Sequence, residues 1–91
     1  MGTKNTPGTY DCWEKAKPDE PVFVLLGRDP DAPAAIRKWA ADREAMVKVG
    51  LAPGDDTAKI EEARACAAHM DKYRAGLRVA AAFKLARDEG Y

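Results

Sequence analysis

Several things are scarce in this chain, and each scarcity excludes something. It has two cysteines, Cys12 and Cys66, far apart and in no CxxC pair, and one histidine, His69. No Cys/His cluster stands at zinc-ligand spacing, so no metal is expected. The plain reading is two reduced thiols in a cytoplasmic protein. No apolar run approaches the ~20 residues of a transmembrane helix. The opening MGTKNTPGTYD lacks the apolar stretch of a signal peptide. Neither sign of charge prevails, with 15 basic and 15 acidic residues. That argues against DNA or an anionic membrane as partner, though a small anion needs only two or three placed cations.

Bulk is scarce too. Hydrophobic residues are 46% of the 91-residue chain, but alanine supplies much of that share and aromatics only 8%. Alanine favours helix and fills little core. A single small domain is expected, in the size range that is often marginal alone. Its core is expected to be completed by a second copy, making the chain a homo-oligomer.

What is present reads as α+β, mostly helical: one short strand or hairpin followed by two or three helices. Residues 1–9 are polar and carry Gly2, Pro7 and Gly8, which suggests a flexible arm before a domain of residues 10–91. Thr9–Ala16 reads either as a helical turn or as a short strand, the helix-friendly Trp-Glu-Lys-Ala favouring the turn. Val22–Leu26 lies between Pro21 and Gly27 and has two β-branched residues, which predicts a strand at about 22–26. Such a strand must pair, with residues 9–13 or with another subunit, at the contact between copies. The Ala-rich helix is the other candidate contact.

A helix is predicted at about 31–48, with Asp29 or Asp31 as N-cap, Pro30 or Pro33 in the first turn and Gly50 past its end. Asp55 or Asp56 caps the next helix, whose apolar face runs Ile60, Ala63, Ala67, Met70, Tyr73, Leu77. Gly76 leaves two readings: one helix to about Arg87, or a break giving helices at about 56–75 and 77–87.

Candidate chemistry centres on Arg28 and Asp29, at the end of the expected strand and the start of a helix. That junction suits an anion, because free helix N–H groups and an arginine can both bind phosphate. The competing reading is a helix cap with its salt-bridge partner. One glycine followed by Arg-Asp-Pro matches neither a P-loop nor a dinucleotide fingerprint, and no cofactor is expected. Trp39, beside Arg37 and Lys38, reads as core, or as a platform on which a base stacks. Tyr10 and Trp13, with Lys15 and Lys17, form a second aromatic–basic cluster. Cys66 and His69 are adjacent on one helix and lack the opposed geometry and orienting group of a nucleophile pair, so no enzyme is expected. The connector at Pro53-Gly54 is too long for a helix-turn-helix, and Glu61-Glu62 would repel phosphate.

Residues 10–40, YDCWEKAKPDEPVFVLLGRDPDAPAAIRKWA, with 59–74, KIEEARACAAHMDKYR, resemble a group of small proteins encoded by bacteriophages and prophages. The signature is DEPVFVLLGRD followed by AP and WA. No residue roles carry over from the group. The resemblance implies a setting, a small accessory phage protein in the host-cell cytoplasm. Such proteins often block host immunity by binding a host protein or by sequestering nucleotide signals.

The resulting expectation is a non-enzymatic binder of a small anionic, nucleotide-type ligand in a pocket between subunits. Arg28 and Arg37 would face the phosphates, Asp29 would belong to the same ligand site, and Tyr10, Trp13 or Trp39 would stack on the base. The alternatives are a protein-binding inhibitor of a host defence enzyme, or a phage structural or assembly protein.

Overall fold

A computed structural model describes residues 1–88 as a coil of about thirty residues followed by two helices, α1 (Ala32–Lys48) and α2 (Asp56–Asp88). Local chemistry sets where α1 begins. The Asp29 N–H donates to the Leu26 carbonyl at 3.0 Å, and Asp29 Oδ1 accepts the Asp31 N–H at 2.9 Å. Asp31 is the N-cap, yet its side chain makes no capping bond. Asp29 therefore shapes the turn before the helix, and neither aspartate caps by its carboxylate. Pro33 sits in the first turn, where its missing N–H is harmless.

The end of α1 is a Schellman motif: the Leu51 N–H donates to the Met46 carbonyl at 2.8 Å and the Gly50 N–H to Val47 at 3.2 Å. Gly50 has φ +77°, and a Cβ there would meet nothing within 4 Å. The cost of Gly50→Ala is then conformational alone, about 1–2 kcal/mol. Gly76 lies within α2 with equally open space around it. Gly76→Ala is expected to add roughly 0.5–1 kcal/mol. Thermal melts of the two variants should move in opposite directions.

The helices run antiparallel. Arg37 bonds Asp71 at 2.7 Å, Arg64 bonds Glu44 at 2.8 Å and Arg43 pairs with Asp56 at 3.6 Å. Between them lie the buried residues Ala32 and Ala40 of α1 and Ile60, Ala63 and Ala67 of α2. Four of these five are alanines, so the helices approach closely around little bulk. Trp39 is half-buried, at the edge of this seam.

The expected strand is a correction. Among the described residues there is no strand, so the fold is all-helical and not α+β. Residues 22–26 carry no regular secondary structure and join no ladder, and Phe23 is 87% exposed. The proposed hairpin partner is engaged elsewhere. Residues 12–16 form a helical turn, with the Ala16 N–H on the Cys12 carbonyl at 2.9 Å. The N–H groups of Thr9 and Tyr10 are held by the Glu62 carboxylate. Propensity without a ladder partner does not make a strand.

Gly76 does not break α2, which carries helix through to Asp88. The molecule measures 60 × 31 × 20 Å, with a radius of gyration of 16.9 Å. A compact chain of this length would have about 12 Å. Among the described residues no helix is long and apolar enough to cross a membrane.

Candidate functional site

The coil lies along the face of α2 that α1 leaves uncovered, where Glu62, Cys66, His69, Met70 and Tyr73 recur at three- and four-residue steps. Glu62 is the anchor. Its carboxylate accepts the N–H groups of Thr9 at 2.8 Å and Tyr10 at 2.9 Å, and the Met1 ammonium at 2.9 Å. Asp11 also pairs with that ammonium and accepts the Gly8 N–H at 2.8 Å. The segment 1–9, expected as a flexible arm, is thus a loop pinned to α2.

These contacts displace the ionisations of all three groups. The Met1 ammonium, then the Thr9 and Tyr10 N–H groups, hold the Glu62 carboxyl below the usual range against a smaller opposing effect of burial. The ammonium and the Gly8 N–H do the same for Asp11. Burial opposes the charge on Met1, but Asp11 and Glu62 together outweigh it and raise the amine's pKa.

The signs define a window. The carboxylates' contribution is present above their ordinary pKa values and is lost as pH falls through the lowered ones. The amine's contribution is present below its ordinary value and is lost as pH rises through the raised one. The loop is therefore expected to stay docked across neutral pH and to release in acid. Glu62→Ala should release it at every pH, with faster amide exchange at Thr9 and Tyr10 and unchanged helix content.

The pinned loop, residues 25–28 and α2 border an open cleft of about 420 Å³. Leu25, Leu26 and Met70 give it apolar walls, Tyr73 an aromatic one, and Lys4, Arg28 and His69 bring cationic or hydrogen-bonding groups. No carboxylate lines it. Among the described residues Lys4, Arg28 and His69 take part in no ion pair. Gly27 brings the backbone against α2: a Cβ there would lie 3.5 Å from the Tyr73 ring and 3.6 Å from Met70. Cys66 also lines the cleft, and burial pushes its thiol pKa up, so it stays protonated at neutral pH.

The residues singled out from sequence do not come together. Arg28 lines this cleft, and Asp29 shapes the turn beside it. Arg37 is bound to Asp71 and ties α1 to α2. Trp39 stacks against its own helix, with the Arg43 guanidinium 5.6 Å from its ring centre. Tyr10 lines a second, smaller cleft of about 260 Å³ with Lys15, Lys59, Asp55 and Asp56, whose mixed charges suit an anion poorly. Trp13 is 70% exposed and lines neither cleft.

Sequence reasoning missed Lys4, which it placed in an arm, and Tyr73, which it placed on the helix-packing face. His69 it weighed only for catalysis and metal binding. The signal available was the second stripe on α2, from Glu62 to Tyr73. Compared with models of protein families, with curated proteins and with solved structures, the chain matches none.

Proposed function

We propose that the cleft binds a small anionic ligand of nucleotide type and holds it without transforming it. The observation that carries this is the lining: Lys4, Arg28 and His69 meet an apolar and aromatic wall with no carboxylate among them. Lys4 and Arg28 supply positive charge to a phosphate, and His69 a further hydrogen bond. Tyr73, with Leu25 and Met70, offers a surface for a base. The volume falls in the range of small-molecule sites. Binding without turnover is supported by the Cys66 thiol, which burial keeps protonated and poorly nucleophilic.

The resemblance to small phage and prophage proteins gives this reading its setting, a cytoplasmic accessory protein that sequesters a nucleotide signal of host defence. A thermal-shift screen against linear and cyclic nucleotides, including cyclic ADP-ribose forms, tests it. A rise of several degrees with one compound, recovered chemically unchanged, is the expected result. No rise with any compound moves the reading to a protein-binding inhibitor of a host enzyme.

A further inference from the structure

Residues 1–11 fold back on themselves as a ring. The Thr3 N–H donates to the Thr6 carbonyl at 2.9 Å and the Thr6 N–H to Thr3 Oγ1 at 2.9 Å, which makes a turn with Lys4 and Asn5 at its tip. The ends of the ring meet backbone to backbone. A Cβ on Gly8 would collide with the Met1 nitrogen and lie 2.8 Å from the Met1 carbonyl carbon. A Cβ on Gly2 would collide with the Thr6 carbonyl oxygen. Approach this close is open only to glycine.

One carboxylate ties the ring to α2. Among the described residues, the hydrogen bonds that join residues 1–11 to α2 all end on Glu62: those of the Met1 ammonium, the Thr9 N–H and the Tyr10 N–H. Asp11 meets the same ammonium from within the ring and also holds the Gly8 N–H. Gly8, Asp11 and Glu62 therefore surround the Met1 nitrogen. Among the described residues no lysine or arginine pairs with either acid.

An ammonium has three donors and a full charge. It serves both carboxylates at once and offsets the repulsion between them. An amide nitrogen has one N–H and no charge. An acyl group on Met1 would leave the two carboxylates facing each other without a cation. It would also need space that the Gly8 backbone fills. A segment held at so few points opens locally at small cost.

We infer that the Met1 amine is a control point for the cleft. While that amine is free, the ring stays docked and keeps Lys4 in the lining. An N-acyl group, or a residue joined ahead of Met1, undocks the ring and withdraws Lys4. The inference does not depend on which ligand the cleft takes.

Amide exchange of the full chain tests it, comparing the free-amine form with an N-terminally acetylated form. Acetylation should speed exchange at Gly8, Thr9 and Tyr10 at least several-fold and leave the interior amides of α1 and α2 unchanged. It should also move the Arg28 and Tyr73 amide resonances as the ring leaves the cleft. Gly8→Ala should release the ring with the amine still free, because a Cβ there meets the Met1 nitrogen. Unchanged exchange at Thr9 and Tyr10 on acetylation overturns the inference, as does a Gly8→Ala chain as protected as the wild type. Release that leaves the Arg28 and Tyr73 resonances in place also overturns it, by separating the amine from the cleft.

Discussion

Replacing Ile60 with alanine lowers the stability of the folded chain by roughly 2–5 kcal/mol, the usual range for truncating a buried isoleucine. Ile60 is 2% exposed and, among the described residues, is the one large side chain fully buried. Its neighbours in the seam are alanines, which have no spare length to refill the space. Each kcal/mol lowers the melting temperature of a domain this size by about 4–8 °C. Denaturant unfolding followed by helix circular dichroism reads the change. A loss below about 0.5 kcal/mol, the level of an ordinary surface substitution, would mean that α1 and α2 do not pack through this seam. Ala67→Leu probes the same contact from the other side. Ala67 is fully buried, and forcing a larger side chain between the helices costs about 1–3 kcal/mol.

Replacing Arg28 with alanine weakens binding of an anionic nucleotide roughly 10- to 100-fold, from the ~1.5–3 kcal/mol that a hydrogen bond to a charged group contributes. Arg28 lines the cleft beside Lys4 and His69, and no carboxylate there competes for it. Its own exposure places the effect toward the lower end. Arg37→Ala is the matched control. Arg37 is engaged by Asp71 on an exposed helix surface, so its loss costs stability under ~1 kcal/mol and leaves affinity unchanged. Isothermal titration of both variants separates the two roles. Equal affinity in the wild type and Arg28→Ala would remove Arg28 from the site.

The contrast between Arg28 and Arg37 shows how far the sequence could be read. Both are arginines near the start of one helix, and nothing local distinguishes them. Only the antiparallel register of α2 brings Asp71 to Arg37, and only the pinned N-terminal loop brings Lys4 to Arg28. Helix ends were more legible, because their causes are local: a proline in the first turn, and a glycine at positive φ after the last.

The strand misled for the reverse reason. Val22–Leu26 has every local mark of one, but a strand exists only as half of a ladder, and the neighbouring N–H groups are held by Glu62. Gly76 misleads in the same way if read alone. Its cost in a helix interior is about 1 kcal/mol, which the strong helix formers around it offset.

The most direct test of the central claim is a titration of the ¹⁵N-labelled chain with AMP and with a cyclic dinucleotide, followed by amide and imidazole shifts up to millimolar ligand. The account predicts saturable shifts at Lys4, Gly27, Arg28, His69 and Tyr73, with little change at Tyr10, Lys15 and Lys59 in the smaller cleft. Shifts confined to the smaller cleft, or no saturable shift at all, would contradict it.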